Sequence, residues 1–333
     1  MKRTKWILLT VTLFIFALLL TACGGESDKN DANEGDNGGG EKPEFLSLLT
    51  GGTSGTYYPL GGEMATMIKD ETGIQTDPQS SNASADNVAA LRDGDAQLAF
   101  VQTDVISNAI EGINSFEGEP VDNVQAIGSL YPETIQIVTT KDSGINSVED
   151  LAGKAVSVGA PGSGTFVNAE QILEVHGMSM DDIEEQNLDF GESTGGIQDG
   201  NIDAAFITAG TPTGAVEGLK AQVDVNIVPV AQDKIDALVE KYPYYASDTV
   251  KAGTYGLEED IQTVAVLAML AVTDSLSEDV VYDVTKAIYE NTDKIAHDKG
   301  EFITKESALD GIGIDLHPGA KKYFDEAGIS ASE

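Results

Sequence analysis

The chain is 333 residues long and carries 56 acidic against 19 basic side chains, a formal net charge of −37 at pH 7. Such acidity excludes a nucleic-acid partner, whose phosphates are held by clustered Lys and Arg. A single cysteine, Cys23, excludes a disulfide framework.

The N-terminus reads as a secretory signal. Lys2, Arg3 and Lys5 precede an almost wholly apolar run over residues 6–20, shorter than the ~20 residues that span a bilayer as a helix. It ends in Leu20-Thr21-Ala22-Cys23, which resembles a bacterial lipobox and makes Cys23 the expected lipidation point and membrane anchor. Cleavage after residue 22 removes three positive charges and no negative ones, taking −37 to about −40. Residues 23–44 are rich in Gly, Asp, Asn and Glu without apolar periodicity. Such a segment buries too little surface to offset its ordering entropy and is expected to be a flexible, acidic tether.

The expected elements follow in order. Residues 45–49 form a strand that runs into Gly51-Gly52-Thr53-Ser54-Gly55-Thr56, and residues 57–71 an amphipathic helix with Leu60, Met64, Met67 and Ile68 on one face. Ser84 caps a helix ending at Gly94; residues 97–101 are a buried strand and 103–111 a helix. Residues 124–130 and 134–139 read as two strands around Tyr131-Pro132-Glu133. Ser147 opens a short turn with capping-box spacing. Residues 155–158 form the strand entering Gly159-Ala160-Pro161-Gly162-Ser163-Gly164-Thr165, followed by a helix over 165–176, strands over 202–207 and 225–230, and a helix over 233–240. The apolar run 263–272 is expected to be a buried strand crossing back to the first half. A helix over 278–294 and a polar helical tail complete the chain.

Two stretches repeat. Ser54-Gly55-Thr56 and Ser163-Gly164-Thr165 each follow a strand and precede a helix, and each is followed by a helix ending at Asp-Gly and an apolar strand ending in Phe, 46 residues on in the first copy and 43 in the second. The repeat predicts two similar α/β lobes with their glycine loops facing across a cleft. Alternating strands and helices place ligand sites beyond the C-terminal strand ends. Unpaired N–H groups at a helix start favour an anion there; the competing reading is that both loops are plain tight turns. Arg92 is the only arginine after the signal, at a solvent-facing helix end beside Asp93. A bidentate guanidinium clamp is therefore not expected, and main-chain amides, hydroxyls, side-chain amides or a lysine would hold an anion instead. Gln102, Thr103 and Asp104 follow a buried strand at the cleft mouth. Asp104 either accepts from a ligand ammonium or merely caps the next helix. Ser80, Ser81, Asn82 and Ser84 stand at another strand-to-helix junction, and Tyr57, Tyr131 and Glu133 are placed to touch a ligand.

Catalytic signals are poor. His176, His297 and His317 share no metal-ligand spacing, so no metal or cofactor is expected. Gly162-Ser163-Gly164 lacks the flanking glycines of a nucleophile elbow, and no P-loop or dinucleotide fingerprint is present.

The stretch from Leu46 through Gly51-Gly52-Thr53-Ser54-Gly55-Thr56-Tyr57-Tyr58-Pro59 to Gly61, together with Gln102-Thr103-Asp104-Val105, Ser129-Leu130-Tyr131-Pro132-Glu133, Ala160-Pro161-Gly162-Ser163-Gly164-Thr165 and Ala252-Gly253-Thr254-Tyr255, resembles the TAXI class of solute receptors for tripartite ATP-independent periplasmic (TRAP) transporters. The resemblance implies a two-lobed periplasmic-binding-protein-like α/β fold (type II, venus flytrap), extracytoplasmic and lipid-anchored to the outer face of the bacterial membrane. It implies a small organic anion or amino acid as ligand (glutamate-, glutamine- or dicarboxylate-like), TRAP membrane permease subunits as partner, and no enzymatic activity. Its implied ligand contacts are Thr53, Ser54, Gly55, Thr56 and Tyr57, with Ser81, Asn82, Gln102 and Asp104, then Ser163, Gly164 and Thr165, and Tyr131 by the hinge. The domains are read as signal peptide 1–22, lipidated Cys and linker 23–44, lobe I 45–138, lobe II 139–255, and a return to lobe I with C-terminal helices over 256–333. Two other readings stand beside this one: the receptor of an ABC importer of the nitrate, sulfonate or thiamine-precursor type, and a lipid-anchored hydrolase or transferase using Ser54 or Ser163.

Overall fold

A computed structural model describes residues 42–330. The signal peptide, Cys23 and nearly all of the expected tether lie outside the described residues. In the first half, β1 (Phe45–Leu49) lies between the parallel strands β2 (Gln75–Gln79) and β3 (Leu98–Gln102). Helix α1 (Tyr57–Thr72) follows β1, α2 (Ser84–Asp93) follows β2, and α3 (Thr103–Glu111) follows β3. Helix α1 buries Leu60, Met64 and Ile68 at four-residue spacing and stops at Gly73 in the left-handed conformation, whose N–H donates to Lys69 O. Each of those side chains contributes roughly 1.5–3 kcal/mol of burial.

The chain then enters β4 (Val124–Thr140). Two strands were expected here, broken at Pro132, but β4 is continuous. Pro132 is accommodated at a register irregularity, between Leu267 and Met269 of the antiparallel neighbour, so the N–H it lacks is not missed by a regular ladder. The second half repeats the first: β5 (Ala155–Ser157) lies between the parallel strands β6 (Glu184–Gln186) and β7 (Ala204–Ala209), with α4 (Gly164–Val175) after β5 and α5 (Phe190–Asp199) after β6. Next come α6 (Gly214–Lys220), β8 (Val225–Val228), α7 (Gln232–Lys241) and β9 (Ala246–Val250). Strand β10 (Ile261–Thr273) carries the chain back to the first half, where α8 (Glu278–Tyr289) and α9 (Pro318–Ala327) finish it. Helix α8 ends earlier than expected, and the tail is not wholly polar: Tyr323 and Phe324 are buried.

The strands run β2-β1-β3-β10-β4-β7-β5-β6, with β8 on β4 and β9 on β10. Strands β4 and β10 belong to both lobes. In β4, residues 124–129 pair with β10 beside the first-lobe core, whereas Thr134–Thr139 pair with β7. In β10, Ile261–Ala265 pair with β9 and Ala268–Val272 with β3. The chain thus crosses near Tyr131–Thr134 and Ala265–Ala268, and residues 134–138 and 256–264 pack with the second lobe. Each lobe has apolar cores on both sheet faces. In the first, one is built around Leu46, Leu60, Phe100 and Tyr289 and the other around Val88, Val101 and Ile106. In the second they centre on Ile137, Ile172 and Phe206, and on Val138, Ile207 and Val216. This is the two-lobed periplasmic-binding-protein-like α/β architecture.

Candidate functional site

The glycine loops after β1 and β5 meet at one cavity of about 50 Å³. Its walls include Gly52, Gly55, Thr56 and Tyr57 from the first loop, Ser81, Asn82 and Ser84 at the start of α2, Gln102 at the end of β3 and Glu133 on the crossing strand. The second lobe gives Ala160, Ser163, Gly164 and Thr165, with Asp189 and Phe190 at the start of α5 and Thr208 on β7.

The loops also clasp each other's lobe. Gly162 O accepts from the N–H groups of Ala85 (3.0 Å) and Asp86 (3.3 Å), the first turn of α2, while Ser54 O accepts from Ala215 N (3.1 Å), the first turn of α6. Gly162 has φ +75°, and a Cβ there would stand 2.3 Å from Asp86 Oδ1, so only glycine serves. Gly210 N donates to Thr56 Oγ1 across the cleft at 3.1 Å.

Of the expected contacts, Gly55, Thr56, Tyr57, Ser81, Asn82, Gln102, Ser163, Gly164 and Thr165 line the cavity. Thr53 and Ser54 instead line an outer crevice with His297, because the loop turns their side chains away while its main chain caps α6. Asp104 is buried off the cavity, where Asn168 Nδ2 donates to its Oδ2 across the lobes at 2.9 Å. Tyr131 is buried behind the wall, its hydroxyl 3.4 Å from Glu133 Oε1. Several hydroxyls expected to face a ligand are engaged by main chain. Ser81 Oγ donates to Thr50 O and accepts from Ala83 N, and Ser163 Oγ accepts from Phe166 N. Among the described residues no lysine or arginine lines the cavity.

Glu133 and Ser84, also candidates from the sequence, line the cavity too, and Asp189, Phe190 and Thr208 enlarge the set. Glu133 is 2% exposed. Tyr57 donates its hydroxyl to Glu133 Oε2 at 2.6 Å, and Tyr131 donates to Glu133 Oε1 at 3.4 Å. Burial pushes Glu133 up to about 8; the hydrogen bonds from Tyr57, Tyr131 and Gln102 oppose the shift, and the nearby Asp104 charge adds to it. Burial likewise lifts Asp104 to about 7 against the hydrogen bonds from Val105 and Asn168. Two polar atoms of wall residues, Gln102 Oε1 and Thr208 Oγ1, are buried without a protein partner. Phe190 and Thr208 have no counterpart signal in the sequence, whereas Asp189 could have been found as the N-cap of α5, accepting from Glu192 N at 2.8 Å.

Solved structures with this fold include a periplasmic transporter, with TM-score 0.53 and 14% identity over 85% of this chain and 94% of that one. A protein from Bordetella bronchiseptica RB50 has TM-score 0.52 and 18% identity over 85% and 82%. The periplasmic aliphatic sulphonate binding protein SsuA from Escherichia coli has TM-score 0.44 and 15% identity over 85% and 83%. A family model matches residues 48–328, nearly the whole described chain. The protein belongs to the NMT1-like family.

Proposed function

We propose that the protein is the extracytoplasmic receptor of a solute transporter, binding one small organic acid or amino acid between its lobes and presenting the closed form to a membrane permease. The observation that carries this reading is the cavity itself: both lobes build it, and it is bordered by buried polar atoms, Gln102 Oε1 and Thr208 Oγ1, with no protein partner. Buried polar atoms are normally paired, and a bound solute would supply the missing partners. Ligand contacts on both lobes give the closed form its differential affinity, which is what shifts the population on binding. Among the described residues no helix is long and apolar enough to cross a membrane; attachment through a lipid on Cys23 remains part of the proposal.

The family match supports a receptor for an ABC importer at least as well as one for a TRAP permease, which rests on the sequence resemblance alone. Uptake into vesicles carrying the cognate permease separates the two, because the first needs ATP and the second an ion gradient. The hydrolase reading has little to stand on. Ser163 has no histidine beside it in the cavity wall. Ser54 shares its crevice with His297, but His297 Nδ1 accepts from Lys299 N and no Ser54–His297 hydrogen bond is formed.

A thermal-shift screen of organic acids and amino acids on the chain from Phe45 onward tests the receptor reading. A ligand present at a hundred times its Kd stabilises by about 2.7 kcal/mol, several degrees of melting temperature. A panel without a single stabilising compound would overturn it.

A further inference from the structure

The cavity wall carries two carboxyl groups and, among the described residues, no cationic side chain. Glu133 and Asp189 bring carboxylates, Gln102 Oε1 has no protein partner, and no lysine or arginine is present to meet them. Glu133 is fixed in place. Its Oε2 is held by the Tyr57 hydroxyl and its Oε1 faces the Tyr131 hydroxyl. Asp189 is already used as a helix cap, accepting from Glu192 N, so Glu133 is the buried carboxyl of the wall that is not spent on main chain. A carboxylate surrounded by neutral donors and buried without a cation is costly. A solute that brings a cation lets the buried group ionise at lower cost; a solute that brings only carboxylates leaves it protonated.

We infer that Glu133 is a specificity-determining residue that selects solutes bearing a protonated amine, with the Gln102 side-chain oxygen as a second acceptor. This deepens the receptor reading and rests on it. The groups facing Glu133 are Tyr57 from α1, Gln102 from β3, Asp104 from α3 and Tyr131 from its own strand, and none is cationic. With Glu133 pushed up to about 8 by burial, an ammonium group arriving beside it at pH 7 favours the ionised form and expels a proton to solvent.

The test is calorimetric titration with L-glutamate, 2-oxoglutarate and glutarate, and with L-leucine and its 2-oxo acid. Within each set the carbon skeleton is shared and the group at C2 differs. The amine-bearing member is expected to bind roughly tenfold to a hundredfold more tightly, the range of a charge-assisted hydrogen bond lost from a buried site, and Glu133→Gln is expected to erase that preference. Because the variant can fail on folding, a wild-type readout accompanies it. At pH 7 the binding heat of the amine-bearing compound, measured in two buffers of different ionisation enthalpy, is expected to show proton release. Binding of the deaminated acids with equal or higher affinity, a preference that survives in a folded Glu133→Gln, or proton uptake with the amine overturns the inference and leaves the receptor reading standing. Absence of binding by every compound overturns both.

Discussion

The two lobes set the same three parallel strands in the same order, β2-β1-β3 and β6-β5-β7, and each starts a helix from a glycine loop at the cavity. Their side chains then diverge. The first lobe opens α1 with Tyr57, which reaches across to Glu133 on the shared strand. The second opens α4 with Gly164 and Thr165, small enough for the Gln102 side chain of the first lobe to lie directly on the helix start. The repeated backbone creates the cleft, and the unequal residues at its two lips decide what fits. One lip supplies hydrogen-bonding bulk and the other supplies clearance.

The largest effect is expected from breaking that asymmetry. A Cβ at Gly164 would stand 1.8 Å from Gln102 Oε1 and 2.4 Å from Gln102 Cδ, so Gly164→Leu is expected to hold the lobes apart and lower affinity roughly a hundredfold or more, while circular dichroism stays native. Gly164→Ala combined with Gln102→Ala should recover closure, seen as a compact form in small-angle scattering. Full binding by Gly164→Leu would show that the lips do not need to meet.

A smaller effect concerns the buried acids, which sit on the first-lobe side and on the crossing strand. Folding raises Asp104 from an ordinary 3.8 to about 7 and Glu133 from 4.5 to about 8. Between these limits the native state binds more protons than the unfolded chain, so the slope of unfolding free energy with pH is negative. Stability contributed by these groups is full below about pH 4 and is lost as pH rises through 7 to 8. Denaturant midpoints should therefore fall from pH 5 to pH 8, and Asp104→Asn should flatten the slope. A midpoint that rises over this window for the wild type would contradict the assignment.

The smallest effect is expected at Arg92, which the second lobe does not reproduce. Its guanidinium meets Asp93 at 2.8 Å and Glu119 at 3.5 Å on the surface. Exposed pairs contribute little, so Arg92→Ala should leave both melting temperature and ligand affinity unchanged. A loss of binding would restore the arginine clamp that the sequence argued against.

The sequence by itself determined the repeat, the helix stops at Gly94 and Gly200 and the crossing role of the apolar run in β10. These are legible because they rest on local rules: left-handed glycines (φ +79° and +73°) and apolar spacing along a helix or a strand. Only the tertiary structure decided which polar groups face the cavity. Ser54 and Ser163 stand at matching places in the two loops, yet the first turns outward and the second caps a helix at the wall. Pro132 looked like a strand break but is absorbed by an irregular pairing with β10. Glu133 could be named from its neighbours in sequence. Its burial under the Tyr57 and Tyr131 hydroxyls required two distant pieces of chain to meet, and desolvation is a property of that meeting rather than of either segment alone.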